Sequence, residues 1–78
     1  MDIGQAIAQL RAGNRVARDG WNGKGMWLGL RRPGESYLQA EDVEMTVPFV
    51  YMRTVQGDLV PWLCSQTDLL ATDWMVVQ

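Results

Sequence analysis

The sequence predicts a small α+β domain: an N-terminal helix packed on an antiparallel β-sheet, with a short second helix near the C-terminus. Three observations predict it. Ile3, Ala6, Ile7 and Leu10 recur at three- and four-residue spacing and so fall on one helical face. After them come short runs rich in β-branched and aromatic residues, broken by Gly, Asn, Asp and Pro. The chain has 78 residues, which allows one domain over 1–78 and no second.

Taken in order, the helix spans Asp2 to Ala12, with Asp2 as N-cap, Gln5 three residues on to complete a capping box, and Gly13 as the stop. "NRVARDGW" alternates, with Val16 on one side and Arg15 and Ala17 on the other, and reads as a short strand ending at Gly20. "MWLGLRR" is a second strand, Met26, Leu28 and Leu30 on one face and Trp27, Gly29 and Arg31 on the other. "GWNGKG" joins the two as a hairpin loop longer than a two-residue turn. "PGESYLQAEDVEMT" is polar, has no clear period and reads as a surface excursion. In "VPFVYMRTVQGDLVPW", Phe49 to Val55 is expected to pair back through Gln56-Gly57-Asp58 onto Leu59 and Val60. Pro61, which has no N–H to donate, is expected to end that ladder. Ser65 or Thr67 then caps one or two helical turns through Leu69 and Leu70, and "WMVV" is a closing strand.

Composition removes most function classes. A chain this short buries only about 60% of its unfolded surface and needs disulfides, metal, dense packing or self-association. Cys64 is the single cysteine and histidine is absent, which excludes a disulfide within the chain and nearly excludes structural zinc. Packing and self-association remain, and the four tryptophans serve both. No basic stretch leads into an apolar one at the start, and no apolar run is long enough to span a bilayer, so the protein is expected to be cytoplasmic and without a membrane partner. Residues 1–34 carry six Lys/Arg against two Asp, whereas residues 35–78 carry one Arg against seven Asp/Glu. With a net charge of −2, long nucleic acid is not an expected partner, but the basic half can present a local anion site.

The glycines at 20, 23 and 25 do not make a phosphate cradle. A Walker loop requires G-x-x-x-x-G-K-[ST] ahead of a helix, and here Lys24 is followed by Gly25 and a strand. A dinucleotide fingerprint requires G-x-G-x-x-G opening a helix, whereas the order here is G-x-x-G-x-G inside a hairpin. Trp21 is the unusual residue. It either folds back on its own core, packs on a partner chain or stacks on a planar ligand, and core packing stands ahead on the residues alone. As a ligand group it suits a purine, with the Asn22 amide for base edges and Arg18 and Lys24 for phosphate.

A second constellation is Ser65-Gln66-Thr67-Asp68, four polar residues between two apolar runs at an expected helix start. A capping box of Ser65 with Asp68 accounts for it simply. As a ligand group, Asp68 repels phosphate and instead suits ribose hydroxyls or an adenine amine. Catalysis has little support. Without histidine there is no Ser–His or Cys–His pair, and Cys64 has no cation nearby in sequence, so it is expected as a small apolar residue beside Trp62. Glu41, Asp42 and Glu44 read as solvated acidic surface. No cofactor and no metal site is expected, and the chain reads as a binder and not as an enzyme.

"DIGQAIAQLRAGNRVARDGWNGKGMWL" and "DLVPWLCSQTDLLATDWMVV" together resemble a family of small phage and prophage proteins that includes the second type of Thoeris anti-defence protein. The motifs G-W-N-G-K-G and P-W-x-x-S-Q-T-D-x-L-x-x-D-W carry the resemblance, which covers almost the whole chain outside the polar middle. It implies a homotetrameric sponge in the cytoplasm of an infected bacterium. Such a protein sequesters cyclic nucleotide immune signals, notably glycocyclic ADP-ribose isomers and in some relatives cyclic oligonucleotides, without cleaving them. It also implies a pocket drawn from Trp21, Asn22, Gly23, Lys24, Ser65, Gln66, Thr67 and Asp68, with Arg18 or Lys24 near phosphate. The strand "PFVYMRTVQGD" is more apolar than the family pattern through Phe49, Tyr51 and Val55, and the middle segment is short, both of which bear on ligand choice. The alternative from the residues alone is an inhibitor or adaptor that binds a protein through exposed tryptophans.

Overall fold

A computed structural model of the chain describes residues 1–21, 25–33 and 47–77. The polar excursion expected over 33–46 therefore lies almost wholly outside the described residues, as do Asn22, Gly23 and Lys24. Helix α1 (Ile3–Arg11) opens on the expected capping box. The Gln5 amide donates to Asp2 Oδ1 at 2.8 Å, and the Asp2 amide donates to Gln5 Oε1 at 2.9 Å. Gly13 has φ 96°, and the amides of Gly13 and Asn14 close the helix by donating to the carbonyls of Leu10 and Gln9. Arg32 adds a cation there, donating to the carbonyls of Leu10 and Arg11.

Five strands follow the expected segments: β1 (Arg15–Arg18), β2 (Trp27–Arg31), β3 (Phe49–Arg53), β4 (Leu59–Pro61) and, after the short helix α2 (Gln66–Leu69), β5 (Trp74–Val77). The sheet order is β4-β3-β2-β1-β5 and every neighbouring pair is antiparallel. β5 closes the edge beside β1, with Arg15 opposite Val77 and Arg18 opposite Trp74. β3 ends at Arg53, ahead of the expected Val55, because Thr54 turns the chain: its amide donates to the Asp58 carbonyl and its hydroxyl accepts from the Asp58 amide. Pro61 is the last residue of β4, but the pairing continues one bond beyond it, from the Trp62 amide to the Val50 carbonyl at 3.0 Å. The expectation that Pro61 ends the ladder is corrected to that extent: Pro61 faces Tyr51 as a non-hydrogen-bonded pair, a position where the ladder needs no N–H, so the next bond still forms from Trp62.

α1 covers one face of the sheet. Ala6 and Leu10 from the helix meet Val16, Leu28 and Trp74 from β1, β2 and β5, all buried, with Ile3, Ile7, Leu30, Val50 and Met52 packed around them. Alternation sends Arg15, Ala17, Trp27, Gly29, Arg31 and Tyr51 to the opposite face. There Gly29 lets the Tyr51 ring lie across β2, since a Cβ at position 29 would stand 2.4 Å from the Tyr51 hydroxyl oxygen. Tyr51 also meets Trp27 edge-on, with ring centroids 5.8 Å apart.

Cys64 is exposed, which corrects its expected burial beside Trp62. Between β4 and α2 it is Trp62 that turns to the core, while Leu63 and Cys64 face outward. Among the described residues no helix is long and apolar enough to cross a membrane.

Candidate ligand-binding site

Arg18 is the last residue of β1 and shares the face of Val16, so its side chain runs toward α2 and the start of β5. Its Nε donates to Asp73 Oδ1 and its Nη1 to Asp68 Oδ1, each at 2.8 Å. The other oxygen of Asp73 accepts the Gly20 amide at 2.8 Å, and the Asp19 amide donates to the Asp73 carbonyl at 3.1 Å. Asp73 thereby holds both the strand end and the start of the loop. A Cβ on Gly20 would lie 2.8 Å from that carboxylate oxygen, so the close approach needs glycine.

Trp21 is half-buried against the domain. Its Nε1–H donates to Asp68 Oδ1 at 3.2 Å, and its ring meets the buried Trp74 edge-on with centroids 5.4 Å apart. Trp62 meets Trp74 at 5.9 Å, and Trp74 Nε1–H donates to the Asp68 carbonyl at 3.1 Å. Ser65 is the N-cap of α2, its hydroxyl accepting the Asp68 amide at 3.1 Å, while the Asp68 carboxylate is turned to Arg18 and Trp21. None of the four tryptophans is fully exposed: Trp74 is buried and Trp21, Trp27 and Trp62 are half-buried.

Burial pushes the Asp68 carboxyl up, but hydrogen bonds from Arg18, Trp21 and Ser65 outweigh it and hold the group below its ordinary range. Asp73 is also lowered, first by Arg18 and further by the Gly20 amide. Arg18 is raised by Asp73 and Asp68 in turn. One cation thus faces two anions, and Arg18 brings no surplus positive charge to a phosphate.

Beside this clamp is a cleft of about 360 Å³ walled by Trp21, Met26, Trp27 and Met75, with Arg18 and Asp19 on its polar side. Of the residues singled out in the sequence, Arg18 and Trp21 line it and Asp68 stands behind them. Ser65, Gln66 and Thr67 are exposed and do not line it, although Ser65 and Thr67 join hydroxyls at 3.0 Å. Asn22, Gly23 and Lys24 lie outside the described residues. Among the described residues no group of three or more His, Cys, Asp or Glu is placed to hold a metal ion. Although Cys64 is exposed, protein atoms on its inner side strip part of its hydration, and this together with the Asp68 charge pushes the thiol up, away from a reactive thiolate.

A model of the Thoeris anti-defense 2-like domain matches residues 1–77. The chain belongs to that family. It is similar to the Thoeris anti-defense 2 protein of Bacillus phage SP01, at 32% identity over 84 residues, covering 99% of this chain and 94% of the relative. Membership in the Thoeris anti-defense 2-like family supports a role in phage anti-defence. In this member, the two motifs that mark the resemblance meet in space, Trp21 of the first bonding Asp68 of the second.

In this Thoeris anti-defense 2-like chain Asp73, Trp27 and Met75 also belong to the site, although none of them is named as a site residue from the sequence alone. The signal for Asp73 was its place in the second motif, one residue before Trp74. Alternation puts Trp27 on one strand face with Gly29 and Arg31, but it does not mark that face as a wall of the site, because the cleft needs β5 beside β1 and no local pattern specifies that pairing.

Proposed function

We propose that the protein is a non-catalytic sponge that binds a cyclic nucleotide immune signal in the host cytoplasm and withholds it intact. Glycocyclic ADP-ribose isomers are the first ligand class and cyclic oligonucleotides the second. The supporting observation is the cleft between Trp21 and Trp27, two indoles on the walls of one concave, largely apolar site. Base stacking on an aromatic ring contributes roughly 1–3 kcal/mol. Arg18, Asp68 and Asp73 hold the start of the loop at Gly20 and Trp21, and the Asn22 amide and the Lys24 ammonium are chemically suited to a base edge and a phosphate. Ser65, Gln66 and Thr67 offer hydroxyls and an amide at the start of α2, suited to a ligand shared between protomers. A homotetramer fits the strong exposure of Leu63 (90%) and Leu70 (76%), apolar surface that association would cover.

The same leucines favour a second reading, an inhibitor that docks on a host protein. Native mass spectrometry of the purified protein, with and without glycocyclic ADP-ribose and a panel of cyclic dinucleotides, separates the two. The expected result is a tetramer that gains whole ligand masses and releases the ligand unaltered on heating. An assembly that gains no ligand overturns the sponge; a ligand released in altered form shows an enzyme.

A further inference from the structure

The loop after β1 is held at its far end as well as at its start. Arg53, the last residue of β3, lies opposite Trp27 in the sheet and so shares the face on which Trp27 walls the cleft. Its Nη1 donates to the Gly25 carbonyl at 2.7 Å and to the Thr54 carbonyl at 3.4 Å. We propose that Arg53 is a positioning residue of the binding cleft, fixing Gly25 and with it the stretch 25–27 before any ligand arrives. This rests on the nucleotide-binding reading above.

The local geometry suits this bond. Gly25 has φ 85°, a conformation that side chains rarely adopt, and a Cβ there would lie 3.1 Å from Arg53 Nη1. The guanidinium thus approaches the backbone over a position where no side chain stands. Thr54 is itself held within the turn between β3 and β4, its carbonyl accepting the Gly57 amide at 3.0 Å and its amide donating to the Asp58 carbonyl at 2.8 Å. One nitrogen of Arg53 therefore ties a wall of the cleft to a hydrogen-bonded turn outside the loop.

Gly25, Met26 and Trp27 line the cleft together with Trp21. Asp73 and Asp68 hold Gly20 and Trp21, and Arg53 holds Gly25, so the two anchors bracket residues 22–24. A wall fixed before binding leaves less ordering to be done when the ligand arrives. Removing the anchor therefore weakens binding without removing a ligand contact.

The test measures amide exchange by NMR on the ligand-free full chain for the wild type, Arg53→Ala and Arg53→Lys. Each is then titrated calorimetrically with glycocyclic ADP-ribose and with cyclic di-GMP. Lysine keeps the charge, but its ammonium ends about one C–N bond short of the Nη1 position. Both variants should exchange about tenfold faster at 25–27, while 19–21, held by Asp73, and the α1 amides of Ala6 and Leu10 stay as they are. Affinity should fall about tenfold in both, by the same factor at roughly 0.05 and 0.3 M salt. Unchanged exchange at 25–27, or faster exchange with affinity unchanged, overturns the positioning role and leaves the sponge standing. A loss that shrinks at high salt, or that lysine restores, also overturns it, because the guanidinium then acts as a charge on the ligand. A wild type that binds neither nucleotide overturns the sponge reading; faster exchange at 25–27 in that case still supports the anchor.

Discussion

The Trp21 indole N–H and the Asp68 carboxylate meet at 3.2 Å across 47 residues of chain. Asp68 Oδ1 accepts Arg18 at the same time, so one oxygen joins the loop after β1, the end of β1 and helix α2. Its neighbour Asp73 adds the Gly20 amide. A tryptophan beside a glycine-rich loop is thereby tied down at its polar tip, with its ring on the core and also on the cleft.

Asp68→Ala removes the acceptor of Trp21 and one of the two carboxylates on Arg18. We expect a melting temperature lower by about 5–10 °C for a domain of this size, because charged hydrogen bonds in partly buried sites are lost. Tryptophan emission should shift to the red as Trp21 gains water. Unchanged melting and emission would show that the clamp does not hold the loop.

Acid should release the same clamp. Asp68 and Asp73 bind protons less readily folded than unfolded, so their contribution is complete above the unfolded carboxylate range, near pH 3.9, and is lost as pH falls through their lower folded values. Melting temperature should vary little with these groups between pH 7 and 5 and fall steeply below pH 4. In Asp68→Asn/Asp73→Asn the acid slope should be shallower; an equal slope places the acid sensitivity in other carboxylates.

Gly29→Ala puts a methyl group into the Tyr51 ring. Displacing the ring breaks its contact with Trp27 and its stack under Arg31, at an expected cost of about 1–3 kcal/mol. Urea denaturation of Gly29→Ala, Tyr51→Ala and the double variant reads this as non-additivity, because Tyr51→Ala removes the clash. Additive losses would mean that the ring does not depend on the missing side chain.

Trp27→Ala tests the cleft without touching the clamp. If the base is held between Trp21 and Trp27, cyclic nucleotide affinity drops about tenfold or more in calorimetry while the assembly keeps its mass. Equal affinity in an intact assembly removes Trp27 from the site.

Local chemistry made much of this fold legible. Asp2, Gln5 and Gly13 mark the ends of α1 because capping is settled within a few residues, and the alternation in β1 and β2 assigns side chains to faces for the same reason. Ser65 as the cap of α2 followed from the same logic. The family could also be recognised from its motifs, which are contiguous in sequence.

The cleft was not legible, nor was the fate of Arg18, which the sequence offered as a phosphate ligand. The sequence by itself determined the elements, their faces and the composition of a binder without histidine, because these depend on neighbours along the chain. Only the tertiary structure decided that β5 returns to pair with β1. That single pairing brings Asp73 to Arg18 and Gly20, sets Met75 opposite Ala17 in the cleft, and places Trp74 under Trp21. It rests on burying Trp74 against α1 and Val16, a sum of contacts among distant residues that no short stretch of sequence records.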